Sequence, residues 1–477
     1  QNGTRMLSPT ASLRDIHTGT LWSWGEGALG GLGHGSYADE PNPRRIEALV
    51  GKELRSIRSG WTTSLALTKC GRIYEWGWEK NIFSLIKTGK QLAKVPMIVK
   101  GLQRMNMGWI TYNRAVASPR LVSKFRTADG SEVSSDEIRI VSIDAGGEFC
   151  AAQSDDGRIF TWGSGIRGQL GHGDGMFASV KKIPTEVELK TKKKRIKSVK
   201  TFSCGFQYLV MIDTQGDVWV CGKGSTGCLG LERLFSAEER RIFEPVNIRE
   251  ENLRYVMDRR DEDNSQRRRF MPAVEKVATG INHTLFLTAD GRLWACGKNN
   301  NIELGIPDFD DRWLPTPIDL HSIVNEYARN AEEKLHPDES IVSISAGNMH
   351  SAALTSQGRV VVWGMNRHGQ CGVNHERQLV NKTGNLPADL AESASAIPPT
   401  VLSFEQFPDD ARVTHIEAGF YDTFMILDNG SVMRVGAGLG ADNQIRNESP
   451  AIVHFDAPDL CVSQIASGWR HVLALAR

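Results

Sequence analysis

Three glycines at a fixed spacing recur along the chain, and this repeat constrains the fold more than any other feature of the sequence. The second glycine follows the first by 11 residues, and the third follows the second by 6. Six copies keep this spacing, and they begin at Gly60, Gly146, Gly205, Gly280, Gly347 and Gly419. With a partial copy at Gly468, the interval between copies varies from 49 to 86 residues, so the constant internal spacing indicates one repeated structural unit.

Each copy predicts a β-hairpin that ends in a large apolar side chain. Apolar residues flank the second glycine on both sides, and an Asp or Asn before that glycine is the signal of a tight hairpin turn, as in Asp156-Gly157, Asp290-Gly291 and Asn429-Gly430. We name the residue before the third glycine the plug and expect it to be buried. The plugs of the six copies are Trp76, Trp162, Cys221, Cys296, Trp363 and Val435.

The seventh copy is divided between the two ends of the chain. Its first half starts at Gly468 and runs to Arg477, and the missing half, with the plug Trp24, lies at Gly19–Gly25. Seven sheets can form a ring without an open edge when one of them takes strands from both termini. The sequence therefore predicts an all-β fold, a seven-bladed β-propeller with one blade closed by strands from both termini.

A second motif follows most plugs at a constant distance. Nine residues after the plug lies another glycine, at Gly33, Gly171, Gly230, Gly305 and Gly372, whereas the copies of Trp76 and Val435 lack it. Trp-Gly followed by Gly-Gln-Leu-Gly-His-Gly, as in residues 162–173, resembles the repeat of the regulator of chromosome condensation family, and the resemblance covers residues 19–477. It implies a propeller whose loop faces bind partners. Roles in the family include nucleotide exchange on the small GTPase Ran, protein interaction within larger proteins, and organellar work tied to ribosomal RNA and ribosome assembly.

The predicted domain organisation is a short tail followed by one propeller. Residues 1–18 form the tail and residues 19–477 the ring. Insertions interrupt the repeat near 78–140, 232–276, 319–340 and 374–412, and we predict a short polar helix in the third of them. Insertions in a repeat protein fall on its surface and often bind the partner.

Composition narrows the class of protein and the compartment. The 57 basic and 56 acidic residues give a net charge of +1, which provides no overall attraction to nucleic acid or membrane. Eight cysteines without a CxxC pair argue against a zinc site or a disulfide scaffold and favour a reducing compartment. Because the sequence begins at Gln1, we expect a cleaved organellar presequence, with the mitochondrial matrix as the compartment and the nucleus or cytoplasm as alternatives.

Two basic segments are candidates for contacts to partners or phosphates. The denser one contains Lys190, Lys192, Lys193, Lys194, Arg195, Lys197 and Lys200. It could bind RNA or an acidic protein, or it could be a solvated strand edge guarded by lysines. The second, Arg267, Arg268 and Arg269, follows acidic residues and could form a self-neutralised loop.

The sequence gives no positive case for catalysis, a cofactor or a metal. His283, His350 and His471 each lie three residues after an opening glycine and could converge on a metal, but Thr63, Phe149, Tyr208 and Asp422 occupy the same slot, which favours local packing. Gly222–Gly227 lacks the ordered elements of a phosphate-binding loop. A photoreceptor of this family would need several Gly-Trp-Arg-His copies, and only residues 468–471 match.

The sequence therefore leads to two hypotheses of function. The first is a non-enzymatic protein-interaction scaffold, a component or assembly factor of a large organellar (mitochondrial) or ribonucleoprotein complex, with RNA contact through the basic segments. The alternative is a guanine-nucleotide exchange factor for a Ran-like small GTPase, which would act through side chains on one face of the ring.

Overall fold

Each glycine-delimited copy forms the two middle strands of a four-stranded antiparallel blade. The structure is a computed structural model, and it describes residues 19–80, 112–175, 180–189, 196, 198–231, 239–246, 271–373, 396–402, 411–437, 446–457 and 459–477. The Asp-Gly turns form as predicted. Gly157 and Gly291 take φ angles of 85° and 79°, a left-handed conformation that glycine adopts without steric cost.

Seven blades follow one another around the ring, and strands 1 to 4 of each run from the axis outward. Blade 1 contains β29 (Val462–Ser467), β30 (His471–Ala476), β1 (Leu21–Gly25) and β2 (Glu40–Arg45). Blade 2 contains β3 (Leu54–Ser59), β4 (Thr63–Thr68), β5 (Ile73–Lys80) and β6 (Tyr112–Leu121), and blade 3 contains β9 (Ile140–Ala145), β10 (Phe149–Ser154), β11 (Ile159–Gly163) and β12 (Lys181–Glu186).

The remaining blades have the same order. Blade 4 contains β13 (Val199–Cys204), β14 (Tyr208–Asp213), β15 (Val218–Gly222) and β16 (Arg240–Pro245). Blade 5 contains β17 (Val274–Thr279), β18 (His283–Thr288), β19 (Leu293–Gly297) and β20 (Arg312–Ile318). Blade 6 contains β21 (Ile341–Ala346), β22 (His350–Thr355), β23 (Val360–Met365) and β24 (Ala396–Val401), and blade 7 contains β25 (Val413–Ala418), β26 (Asp422–Leu427), β27 (Val432–Ala437) and β28 (Arg446–Ile452).

The divided blade closes the ring, which confirms the predicted fold class. Strand β1 pairs antiparallel with β30, with Leu21 opposite Leu475 and Trp24 opposite Val472. The Gly19 N–H also donates to the Ala476 carbonyl oxygen at 3.2 Å. Residues near both ends of the chain are thus joined in one sheet, and β1 and β30 each pair with a strand on both sides.

The ring has two different ends because the strands of each blade alternate in direction. At one end, named here the front face, strand 1 of each blade turns into strand 2, and strand 3 leads to strand 4. At the other end, the rear face, strand 2 turns into strand 3, and strand 4 leads to the next blade. The opening glycines therefore lie on the front face and the Asp-Gly turns on the rear face.

The plugs join neighbouring blades through the loop that carries the second motif. The Trp76 indole N–H donates to the Gly31 carbonyl oxygen of blade 1 at 2.7 Å, and Trp363 donates to Glu303 of blade 5 at 3.0 Å. A Cβ at Gly33 would lie 2.9 Å from Trp76 Nε1, so the loop needs glycine to pack against the plug. The sequence after Trp76 in blade 2 lacks the second motif, and Trp162 of blade 3 donates to the Glu75 carboxylate at 3.0 Å.

We expect Trp363→Ala to lower the free energy of unfolding by about 3–5 kcal/mol, because it removes a fully buried aromatic ring and a buried hydrogen bond. Urea denaturation followed by tryptophan fluorescence measures the change. Ile452→Ala, at a side chain that is 46% exposed, is the matched control and should leave the midpoint almost unchanged. A Trp363→Ala midpoint equal to that of the control would contradict the role of the plug.

The insertions add strands and a helix around the blades. The first contributes β6 and a hairpin of β7 (Lys124–Arg126) and β8 (Glu132–Ser134), which joins the outer edge of blade 3. The third contains helix α1 (Leu320–Tyr327), capped by Asp319, whose carboxylate accepts from the Ser322 N–H at 3.1 Å. The predicted polar helix is in fact amphipathic. Leu320 and Val324, four residues apart on one face, are buried against the core.

Much of the other insertions lies outside the described residues. These segments are 81–111, 232–238, 247–270, 374–395 and 403–410. In the described part of the chain, no helix is long and apolar enough to cross a membrane.

Candidate functional site

The opening glycines bring the seven blades into contact around the axis of the front face. A Cβ at Gly60, Gly146 or Gly347 would lie closer than 3.0 Å to the carbonyl oxygen of the opening glycine in the next blade. Backbone hydrogen bonds join the same positions, such as Trp61 N–H to Gly146 O at 3.1 Å and Asn348 N–H to Gly419 O at 3.1 Å. The glycines are therefore required by close approach between blades as well as by the turns.

The residue after each opening glycine lies at the mouth of the axis. We name the following six side chains the axial cluster: Trp61, Phe206, Ile281, Asn348, Phe420 and Trp469. In blade 3 the corresponding residue is Gly147. The cluster lines a cavity of about 110 Å³ on the front face. A binding site for a cofactor or drug-sized ligand usually has a volume of several hundred Å³, so this opening suits a single side chain.

Aromatic rings cover one side of this opening, from blade 7 through blades 1 and 2 to blade 4. The ring centroid of Trp61 lies 4.6 Å from that of Phe206 and 5.2 Å from that of Trp469, and Trp469 is followed by Phe420 at 6.2 Å. All three pairs meet edge to face. The Arg470 guanidinium lies over the Trp469 ring, 4.9 Å from its centroid, and forms an ion pair with Glu26.

Three polar atoms of the axial cluster are buried and have no hydrogen-bond partner among the described residues. They are the indole nitrogens of Trp61 and Trp469 and the side-chain oxygen of Asn348. Trp469 and Asn348 are only 9% and 7% exposed. A buried indole N–H or amide oxygen normally has a partner, and leaving it without one costs free energy. The cluster therefore has hydrogen-bonding capacity for water or for a bound molecule.

Charged side chains lie just inside the axial cluster, at the walls of the channel. Arg58 Nε lies 3.5 Å from the Asp144 carboxylate, which also accepts from the Cys204 N–H at 2.6 Å. Burial raises the pKa of Glu417 to about 7, although the nearby Arg58 opposes this shift. The Cys204 thiol lies beside the Asp144 carboxylate, and burial raises the pKa of this thiol well above its usual range.

The three candidate metal-binding histidines lie in different interfaces between blades. Each ring Nε2 lies 2.9 Å from a hydroxyl oxygen of the next blade, in the pairs His283–Ser351, His350–Thr423 and His471–Ser64. These hydroxyls donate to loop carbonyls, so each accepts its bond from a histidine N–H. Burial lowers the histidine pKa values to about 3 or 4, which keeps the rings neutral. The packing interpretation of this slot agrees with these contacts, because the histidines do not converge on one point.

The basic residues predicted as contacts cannot be placed in the same way. Lys190, Lys192, Lys193, Lys194, Arg195 and Lys197 lie outside the described residues, as do Arg267, Arg268 and Arg269. Lys200 is exposed on β13. Leu189 and Ile196, which flank most of the first segment, are joined by a backbone hydrogen bond of 3.1 Å at the rear face. The predicted contacts of both segments stay predictions.

Sequence reasoning missed the axial cluster, although a signal for it exists. The residue after the opening glycine is aromatic or aliphatic in five of the seven copies, and it directly precedes the polar residue that begins the turn to strand 2 in most of them. An apolar residue in a turn is unusual because turns are usually exposed and polar. Aligning the copies by their glycines and comparing this one column would have identified the site.

Comparison with known sequences agrees with the repeat and the ring. Profiles of the regulator of chromosome condensation (RCC1) repeat match residues 18–67, 156–212 and 290–354, and a second profile of the same repeat matches 274–302 and 341–370. The ultraviolet-B receptor UVR8 of Arabidopsis thaliana is 25% identical over 437 residues, which cover 90% of this chain and 77% of the receptor. Other relatives are protein kinases and ubiquitin ligases of which the chain spans less than half.

Solved structures show the same fold. Yeast RCC1 (Prp20), bound to Kap60, superposes with a TM-score of 0.68 at 17% identity, covering 100% of this chain and 95% of Prp20. Human WBSCR16 superposes with a TM-score of 0.66 at 16% identity, covering 96% of this chain and 100% of WBSCR16. The chain is a seven-bladed β-propeller that carries regulator of chromosome condensation (RCC1) repeats at the matched residues.

Proposed function

We propose that the chain is a non-enzymatic docking module that binds a partner protein on its front face, with the axial cluster at the centre of the contact. The observation that carries this proposal is the group of buried polar atoms without partners in an aromatic opening. Binding energy at protein interfaces concentrates in such places, where Trp side chains and desolvated hydrogen bonds dominate. The small volume of the opening argues against a substrate pocket.

The proposed setting of this module is a large organellar (mitochondrial) or ribonucleoprotein assembly. Structural neighbours support a protein as the partner, since Prp20 binds Kap60, and its binding to Gsp1p and histones has been described. The insertions lengthen several connections on both faces, which gives additional surface for a second subunit. The mitochondrial matrix stays the predicted compartment.

A pair of conservative substitutions tests the docking site. We expect Trp61→Phe with Trp469→Phe to weaken partner binding about tenfold, because two hydrogen bonds to the partner are lost at about 0.5–1.5 kcal/mol each. Stability should stay equal or rise, since the substitution removes buried donors that have no partner within the chain. The measurement is quantitative affinity capture of native partners with mass spectrometry, together with a thermal melt.

Trp294→Phe is the matched control for this pair. Its indole nitrogen is also buried without a partner, but the ring lies inside blade 5 and is 0% exposed. The control should capture the same partners as the wild type. Equal capture by the front-face pair and by the control would reject the front face as the docking site.

The same preparation separates the docking module from the alternative exchange factor. A nucleotide-release assay is run with each small GTPase that the capture recovers. Recovery of a Ran-like GTPase in equimolar amounts, with release accelerated by the chain, would support the exchange factor and contradict a purely structural module. Recovery of subunits of a ribosome or another complex without a GTPase supports the proposed function.

A further inference from the structure

Two lysines lie directly outside the axial cluster on the side opposite Trp469. The Lys223 backbone N–H donates to the Gln207 carbonyl oxygen at 2.9 Å, and the Lys298 N–H donates to Asn282 at 2.9 Å. Gln207 and Asn282 immediately follow Phe206 and Ile281 of the cluster. The two lysines are therefore neighbours of the axial opening in blades 4 and 5. At the equivalent position of blade 1 stands Glu26, which is already paired with Arg470.

These lysines form a local cluster of like charge without carboxylate partners in the described part of the chain. Lys223 is half-buried, and burial followed by the charges of Arg167 and Lys298 lowers its pKa. Among the described residues, the carboxylate whose charge acts on Lys223 is Glu239, which already binds Arg167 at 2.8 Å and also binds Arg241. Crowded cations at the rim of a binding site favour an anionic partner, because the partner relieves their mutual repulsion.

We infer that the partner docks through an acidic segment, which places one apolar side chain in the axial opening and carboxylates against Lys223 and Lys298. This inference rests on the proposed function and adds the chemistry of the partner to it. The backbone amides of such a segment supply acceptors for the Trp61 and Trp469 indoles and a donor for the Asn348 side-chain oxygen, which these groups lack among the described residues. The aromatic side of the front face then anchors the apolar side chain of the partner, and the basic side selects a negatively charged segment.

The ring geometry favours a peptide over single-stranded nucleic acid. Bases stack on exposed faces of aromatic rings. Here the rings meet edge to face, Trp469 is only 9% exposed, and the Arg470 guanidinium covers its face. A base therefore finds no free face at Trp469, whereas a peptide side chain needs only the opening itself.

The experiment selects ligands from a random heptapeptide phage library on the immobilised full chain and measures the enriched peptides by fluorescence anisotropy. We expect enriched peptides with an excess of Asp and Glu around one apolar residue. Lys223→Glu with Lys298→Glu should raise their Kd roughly tenfold or more, and salt from about 50 to about 500 mM should weaken binding of the wild type. Lys52→Glu with Lys69→Glu, two exposed lysines of the rear face, is the control and should leave the Kd unchanged.

The outcomes separate this inference from the proposed function. Enriched peptides that are neutral or basic, or an acidic peptide whose Kd ignores the Lys223 and Lys298 reversals, would overturn the acidic partner. If those peptides still lose affinity in the Trp61→Phe and Trp469→Phe pair, docking on the front face is supported but an acidic partner is not. Tighter binding of labelled oligouridine than of any peptide, with loss in the Lys223 and Lys298 reversals, would identify nucleic acid instead and overturn the inference.

Discussion

A chain that lacks residues 19–25 should fail to form a stable monomeric ring. The deletion removes β1, whose Leu21, Trp22 and Trp24 are 1%, 5% and 2% exposed. Large buried side chains cost about 2–5 kcal/mol each when they are removed, which together approaches the whole stability of a typical protein. The unpaired edge of β30 would then be free to pair with another chain. Size-exclusion chromatography with light scattering should detect oligomers, and urea denaturation should show an early or missing transition.

A circular permutant is the control for this deletion. Joining Arg477 to Gly19 by a short linker and placing new ends in the 247–270 connection keeps every described strand, and Gly19 already bonds to Ala476. The permutant should stay monomeric and melt close to the wild type, because the divided blade depends on strand pairing rather than on where the chain ends. A deletion variant that is monomeric and as stable as this permutant would contradict the closure by β1.

Gly60→Ala should strongly destabilise the ring, although it adds only one methyl group to the front face. The new Cβ would lie closer than 3.0 Å to the Gly146 carbonyl oxygen and 3.2 Å from the Ala145 Cβ, so the backbone of blade 3 must move. Overpacking typically costs about 1–3 kcal/mol and more when the backbone has to shift, so we expect a loss of about 3 kcal/mol. The midpoint of urea denaturation measures it.

Gly175→Ala is the matched substitution for Gly60→Ala. Gly175 has an ordinary φ and no heavy atom within 4 Å of an added Cβ. Its variant should unfold at the same urea concentration as the wild type. The Gly60 variant should also lose partner capture, since Trp61 follows it directly. Equal stability of the two alanine variants would show that the blades can move apart at the axis without loss of stability.

The repeat predicts the ring because each copy contains the signals for one blade and the sequence contains seven copies. A hairpin turn, a plug and two spacings fix the middle strands of a blade, and the two half-copies at Gly19 and Gly468 require closure. The copies that lack the second motif are also informative. The sequence of blade 2 lacks it, and Trp162 of blade 3 donates to the Glu75 carboxylate instead. The pattern does not reveal why the opening glycines are needed. They pack against carbonyl oxygens of the next blade, and a single copy of the repeat does not show that contact.

The candidate site is harder to predict because it takes one side chain from each of six blades. Trp61 and Trp469 are in contact in the ring but lie at opposite ends of the sequence, so no local window contains both. Helix α1 was misjudged for another reason. Leu320, Ile323 and Val324 are few apolar positions in a mostly polar insertion, and their burial depends on the neighbouring blades rather than on the helix itself.

The divided blade also imposes an order of events during synthesis. Glu26, at the end of β1, and Arg470, at the start of β30, are 444 residues apart in the sequence. At about 5–20 residues per second, the ribosome needs on the order of a minute to make the second strand after the first. Throughout that time β1, with Leu21, Trp22 and Trp24, can pair with β2 but lacks β30, its partner on the inner side. The nascent ring is therefore an open arc with an apolar end until β30 has been synthesised.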